Sequence, residues 1–295
     1  MLPQVCAEVD GKITLLAPYH GNIYISAHAN YLRSSLDERE QDYIFKYSGS
    51  EVTRFANCEK GDYAICSTVL GNTLYIGTMN GNIFRVIEDD RYEKIYTHKM
   101  GHAITSMITM AHHMIIITSF GELGKLSAEG NYVIIQQQTD SLYGSILIKW
   151  DEKHYLAIFR HTIEKFDIDN KGVLVSALSG TDFFNIKAVA KFNDVLYIGT
   201  DSRTGYMRKF NPDSHLFESI SGHTGSVNSF YVTTDHLYSG SSDQTIRKWD
   251  KNNECVEVFR DPNHNPETIG SAHCLTFMDG YLYSGHSNGC IKKWA

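Results

Sequence analysis

Hydrophobic and polar positions alternate along this chain in short runs. One four-residue pattern returns seven times: an apolar residue, any residue, a basic residue, then an aromatic or apolar one. The instances are IFKY from Ile44, IFRV from Ile83, LGKL from Leu123, IEKF from Ile163, MRKF from Met207, IRKW from Ile246 and IKKW from Ile291. Ahead of each lies a run rich in β-branched and aromatic residues: NIYISAH, TLYIGTM, MIIITSF, YLAIFRH, VLYIGTD, HLYSGSS and YLYSGHS. Runs of this composition and length are strands, and most of these end in a polar or glycine-containing turn. A further strand precedes them, as in ITLLAP, AICSTVL, ITSMITM, SILIKW, IKAVAKF, VNSFYVT and HCLTFM. Another follows the basic segment, as in VTRFAN, YEKIYTH, YVIIQQQ and VEVFR.

The basic residues of the pattern are Lys46, Arg85, Lys125, Lys165, Lys209, Lys248 and Lys293, separated by 39, 40, 40, 44, 39 and 45 residues. Four strands returning every 40 residues or so mark a propeller blade, and helical solenoids fit the strand-like content poorly. The pattern therefore predicts an all-β chain, a single seven-bladed β-propeller of four-stranded blades over residues 1–295. The last unit ends after its third strand, while Gln4 to Val9 form a spare strand at the other end of the chain. That strand is expected to complete the last blade and close the ring, so that truncating either end destabilises the whole.

Composition narrows the function. Against 34 acidic residues stand 27 basic ones, a formal charge of −7 that provides no general attraction to nucleic acid or anionic lipid. The N-terminal MLPQVCAEVDGK has neither the basic nor the apolar region of a leader, and apolar stretches such as Met114 to Ile117 are too short to cross a bilayer. A soluble cytoplasmic protein is expected, with the nucleus left open and no membrane insertion. Six cysteines without a C-x-x-C pair read as small buried hydrophobes. The His112-His113 pair lacks spaced partners for a metal and suits a turn. Phosphate-loop, zinc-protease and nucleophile-elbow motifs are missing, so no catalytic residue, cofactor or metal is expected.

The stretch GHTGSVNSFYVTTDHLYSGSSDQTIRKWD, Gly222 to Asp250, resembles a complete WD repeat, and YLYSGHSNGCIKKW resembles a second. The resemblance implies that His223, Ser239, Asp243 and Trp249 form a buried hydrogen-bonded tetrad with a structural role. A serine, a histidine and an aspartate also invite a catalytic-triad reading, but the tetrad buries the serine hydroxyl. Blade seven carries Ser284, Asn288 and Trp294 without a Gly-His pair, and Gly101-His102 in blade three stands without a later Trp-Asp.

In propellers of this kind, the turns from fourth to first strands and from second to third strands share one face, the usual surface for partners. The largest departure from the repeat is Ala29 to Asp42 in blade one, carrying Arg33, Asp37, Glu38, Arg39 and Glu40. It reads either as a recognition arm or as a tolerated polar loop. Tyr63, Phe120, Tyr143, Arg160, His161, Phe183, Phe184, Asp201 and Arg203 are further candidates on that face, since aromatics and arginine dominate binding hot spots. The seven basic residues suggest either stems packed in the blades or a site for an acidic partner, with packing favoured.

The expected function is a non-catalytic platform or adaptor for other proteins or peptides, alone or in a multiprotein complex. The alternative is an enzyme with acid-base or metal chemistry at the channel mouth, drawing on Asp62, Asp182, Asp201 and His161. Service as a ubiquitin-ligase receptor is disfavoured, because the Trp, Asp, any residue, Arg pattern is broken by Asn252 after Trp249-Asp250-Lys251.

Overall fold

The computed structural model describes residues 3–28, 42–59, 61–88, 91–137, 145–159, 162–167, 169, 172–177, 186–201, 207–212, 214–261 and 270–294. They hold strands and turns and no helix. A first strand, β1 (Gln4–Glu8), precedes the repeats. Blade one is β2 (Lys12–Tyr19), β3 (Asn22–His28), β4 (Tyr43–Tyr47) and β5 (Val52–Asn57). Blade two is β6 (Ala64–Leu70), β7 (Thr73–Thr78), β8 (Asn82–Glu88) and β9 (Arg91–Thr97). Blade three is β10 (Ile104–Met110), β11 (His113–Thr118), β12 (Glu122–Leu126) and β13 (Tyr132–Gln137). Blade four is β14 (Ile146–Lys149), β15 (His154–Ile158), β16 (Thr162–Asp167) and β17 (Gly172–Ala177). Blade five is β18 (Ile186–Phe192), β19 (Val195–Thr200), β20 (Met207–Asn211) and β21 (Leu216–Ile220). Blade six is β22 (Val227–Val232), β23 (Leu237–Ser241), β24 (Ile246–Trp249) and β25 (Cys255–Phe259). Blade seven is β26 (Ala272–Met278), β27 (Tyr281–His286) and β28 (Cys290–Trp294), completed by β1.

Each blade is a four-stranded antiparallel sheet in sequence order, and the fold is a seven-bladed β-propeller. Gln4 pairs with Lys293 and Glu8 with Cys290, so the spare strand of the sequence is the outer strand of blade seven. The second strands are buried along nearly their whole length because both of their faces are covered, which is why they read as continuous apolar runs rather than as alternation. The fourth strands are largely exposed, and their mixed composition follows from that.

The described strands fall into two compact units. One comprises Met1–Tyr63, Lys187–Phe210 and Phe217–Ala295, holding blades one, five, six and seven; the other comprises Ala64–Ile186 and Asn211–Leu216, holding blades two, three and four. In both units the core lies between neighbouring blades. Tyr238 and Ile246 of blade six pack with Ala272, Leu275 and Trp294 of blade seven. Cys66, Tyr75 and Ile83 of blade two pack with Ile104, Met107 and Ile116 of blade three.

The glycines of the second strands mark where the next blade arrives. A Cβ on Gly285 would lie 2.5 Å from Ile13 Cγ2 and 2.7 Å from Cys274 Sγ, and one on Gly240 would lie 3.2 Å from Ala272 Cβ. Glycine stands there because the first strand of the following blade leaves no room for a side chain.

Candidate functional site

Polar side chains gather at the end of the blades where first strands begin and second strands end. In blade six, Trp249 donates its indole N–H to Ser239 Oγ at 2.8 Å, and Ser239 donates its hydroxyl to His223 Nε2 at 2.7 Å. His223 in turn donates from Nδ1 to Asp243 Oδ2 at 2.8 Å. Thr224 N, Thr245 N and Thr245 Oγ1 donate to the same carboxylate at 3.0, 2.9 and 2.6 Å. Burial alone would raise the Asp243 pKa; the His223 hydrogen bond and charge and the threonine donors overcome it and hold the carboxyl below its usual range. One histidine tautomer satisfies every bond, so the cluster ties the β22 entry loop and the β23–β24 turn to the sheet. The glycine of the Gly-His pair has a physical reason: a Cβ on Gly222 would lie 2.6 Å from the Trp249 ring. The serine is fully buried and spends its hydroxyl on this network, which makes it unsuited to attack a substrate.

Blade seven builds the same chain from different residues. Trp294 donates to Ser284 Oγ at 2.8 Å, Ser284 donates to His286 Nε2 at 2.7 Å, and His286 donates from Nδ1 to the Gly270 carbonyl at 2.8 Å. The histidine comes from the end of β27, two residues after the serine, and a carbonyl replaces the aspartate. Burial pushes the His286 pKa down to about 4, so the ring is neutral at pH 7. Sequence reasoning registered the missing Gly-His pair but not this replacement, whose signal was the histidine in YLYSGHS. Next to it, the buried Lys292 ammonium lies 2.8 Å from Asp261 Oδ2.

The second unit assembles another cluster. His98 Nε2 lies 3.1 Å from Glu122 Oε1, and Tyr132 donates its hydroxyl to the same oxygen at 2.6 Å. Burial and the Glu122 charge push the Tyr132 hydroxyl well above its ordinary pKa. His98 stacks on His102, with centroids 4.8 Å apart, and His102 on Phe120 at 4.1 Å. A Cβ on Gly81 would fall 2.6 Å from the His102 carbonyl, so the β7–β8 turn abuts the β9–β10 loop. Met79 in the β7–β8 turn, Met100 in the β9–β10 loop and Phe120 in the β11–β12 turn are 38%, 74% and 40% exposed.

Comparisons with known proteins follow this geometry. No family model matches the chain. Among curated proteins, a zinc finger CCCH domain-containing protein of Arabidopsis thaliana is 36% identical over 24% of this chain and 18% of its own length. Mitochondrial division protein 1 of Aspergillus oryzae is 27% identical over 28% of this chain and 16% of its own. Ribosome biogenesis protein YTM1 of Eremothecium gossypii is 31% identical over 28% of this chain and 18% of its own. The matched stretches are thus less than a fifth of each relative. The WD40 propeller domain of Doa1 superposes with a TM-score of 0.72 at 13% identity, covering 99% of this chain and 97% of that one. The chain thus shares the fold of a WD40 propeller, and its blade six resembles a WD repeat. Virginiamycin B lyase of Staphylococcus aureus also superposes, with a TM-score of 0.78 at 10% identity over 99% of this chain and 97% of that one; the likeness is one of fold alone.

Within this propeller, the basic residue of each third strand faces the middle of the second strand. Lys46 is opposite Tyr24, Arg85 opposite Tyr75, Lys209 opposite Tyr197, Lys248 opposite Tyr238 and Lys293 opposite Tyr283. Lys125 and Lys165 face Ile115 and Leu156. On the fourth strands, Glu93 pairs with Arg85, Glu218 lies 3.5 Å from Lys209, and Glu257 lies 3.8 Å from Lys248. Lys293 Nζ sits 3.6 Å from the centroid of Tyr281. This is the geometry of packed stems with outward heads rather than of converging charges.

Of the other candidates, Phe120 is exposed in the β11–β12 turn, while Tyr63 is half-buried and packs against His28 with the rings tilted and their centroids 4.2 Å apart. Asp62 is fully buried, so it is not displayed to a ligand. Asp201 is exposed and held by Lys187 at 3.4 Å and by the Ser226 hydroxyl at 2.7 Å. Arg33, Asp37, Glu38, Arg39, Glu40, Tyr143, Arg160, His161, Asp182, Phe183, Phe184 and Arg203 lie outside the described residues. His112 sits in the β10–β11 turn and His113 opens β11. No group of three or more metal-ligating side chains occurs among the described residues. No helix there is long and apolar enough to cross a membrane.

Proposed function

We propose that residues 1–295 form one propeller domain that works as a non-catalytic platform for protein partners, with the Met79, Met100 and Phe120 turns as a contact surface. The exposure of three large apolar side chains on turns of blades two and three carries this reading. Phe120 stacks on His102, which stacks on His98, so its ring is held in place before docking. Two of the curated relatives are named for mitochondrial division and ribosome biogenesis rather than for a reaction, which agrees with an adaptor role. All six cysteines are free thiols, which suits a reducing compartment such as the cytoplasm. The net charge of −7 argues against nucleic acid as the partner.

Site-specific photo-crosslinking tests this. A photo-reactive residue in place of Met100 is expected to trap a discrete protein partner in native cells, whereas the same residue in place of Leu216, an exposed position on β21, traps none. Equal labelling from both positions would remove the support for this surface.

A further inference from the structure

Seven equivalent blades allow each outer strand to be compared with its counterparts. The outer strand ends its sheet, and such a strand offers backbone N–H and C=O groups to any extended chain that comes alongside. Five of the seven carry charge: Glu8 on β1, Arg54 on β5, Arg91, Glu93 and Lys94 on β9, Glu218 on β21 and Glu257 on β25. Charge on an edge discourages pairing with a foreign strand. The YVIIQQ of β13 and the GVLVSA of β17 carry none. A register shift against the third strand is common to β5, β9, β13 and β17, so the missing charge is what sets β13 and β17 apart.

The difference falls at one repeated position. Arg85 and Lys248 on the third strands stand opposite Glu93 and Glu257 on the fourth, and Lys209 lies 3.5 Å from Glu218. Lys125 stands opposite Val133 and Lys165 opposite Val173. Valine thus takes the place of the ion-pairing glutamate, and neither lysine has an ion pair among the described residues. Val133 is 63% exposed and its neighbour Ile134 56%. Side chains nevertheless hold β13 in place. Tyr132 donates to Glu122 at 2.6 Å, Gln136 Nε2 to Glu164 Oε2 at 3.0 Å, and Gln137 Nε2 to the Phe120 carbonyl at 3.1 Å. The outer backbone edge beside Val133 and Ile134 has no strand partner among the described residues.

We propose that the outer edge of β13 binds an extended segment of a partner protein as a fifth strand of blade three, with an apolar residue of that segment against Val133 or Ile134 and a carboxylate paired to Lys125. Main-chain hydrogen bonds recognise the extended backbone, and the side chains beside them choose the sequence. The acid follows from charge complementarity: it gives Lys125 what the fourth-strand glutamates give Arg85 and Lys248. A second copy of β13 cannot supply it, since that strand has no carboxylate. Lys125, Val133 and Ile134 are not part of the Met79, Met100 and Phe120 surface, so either surface can fail without the other.

Two short blocked peptides serve as probes, one alternating valine with glutamate and the other valine with lysine. Each is titrated into the full chain while the backbone amides of β13 are followed by NMR. Saturable shifts at Val133 and Ile134 with the glutamate peptide, and binding at least about tenfold weaker for the lysine peptide, are the expected result. Val133→Glu installs the residue found at this position in blades two and six. It is expected to keep an unchanged or higher Tm and to weaken binding at least about tenfold. Lys125→Gln is expected to remove the preference for the glutamate peptide. If Val133→Glu fails to fold, Ile134→Glu is measured in its place, with the same loss expected. Equal affinity for the two peptides, shifts that never saturate, or full binding in the folded Val133→Glu chain overturns the proposal. Self-association through β13 without peptide binding also overturns it and assigns the edge to a second copy.

Discussion

His286 Nε2 lies 2.7 Å from Ser284 Oγ, two residues away on the same strand, and takes beside that serine the place that His223 takes beside Ser239 in blade six. One hydrogen-bonded chain is therefore supported by a carboxylate in blade six and by the Gly270 carbonyl in blade seven. Ser284→Ala removes the hydroxyl that bridges the Trp294 indole and the His286 imidazole, taking a partner from two buried polar groups. The expected cost is about 2–4 kcal/mol by denaturant unfolding. His286→Ala is expected to cost a similar amount, and a change below about 0.5 kcal/mol in both would refute a structural role for the chain.

Stability is expected to fall in mild acid because of His286. Its folded pKa is pushed down to about 4 by burial, against about 6.5 in the unfolded chain. The unfolded state binds the proton first, so the stability of the neutral ring is fully present above the unfolded pKa and is lost as pH falls from there toward 4. The loss from this group is roughly 3 kcal/mol between pH 7 and pH 4, and the half-buried His273 shifts in the same direction. Urea unfolding across that range, repeated in His286→Gln, is expected to show a shallower pH dependence in the variant; identical slopes would contradict the assignment.

Lys292 and Lys293 are neighbours on β28 with opposite surroundings. The Lys292 side chain is 3% exposed and sits 2.8 Å from Asp261, whereas Lys293 lies over Tyr281. Lys292→Met leaves a partly buried carboxylate without its cation and is expected to cost about 3 kcal/mol, while Lys293→Met is expected to cost under about 1 kcal/mol. Chemical denaturation of both variants side by side checks the contrast, which equal losses would remove.

Gly285→Ala is expected to destabilise by about 1–3 kcal/mol, because the added methyl meets Ile13 across the boundary between blades seven and one and Cys274 on the neighbouring strand of its own blade. Ile13→Ala in the Gly285→Ala background is expected to cost less than Ile13→Ala alone, a coupling that a double-mutant cycle measures directly.

Much of the fold was legible because the second and third strands carry strong, repeated signals: a doubly buried apolar run, then a basic residue whose stem packs on the middle of that run. The outer strands were harder to read, since β17 and β21 expose residues such as Val173 and Leu216 and lack a fixed polarity. The blade-six tetrad was readable because all four residues keep the spacing of the WD repeat. His286 was not, because its bond to Ser284 depends on how the end of β27 is placed rather than on a motif. Met79 and Met100 were missed for a related reason: each is a single methionine in a turn, and nothing local in the sequence marks its exposure.

The most direct measurement of the central claim is the affinity of a captured protein partner for the wild-type chain and for Met100→Ser/Phe120→Ser, with both proteins shown by circular dichroism and Tm to be equally folded. The account predicts a weakening of at least about tenfold, roughly 1.4 kcal/mol, for the variant. An unchanged dissociation constant would contradict it and take the partner surface away from these turns.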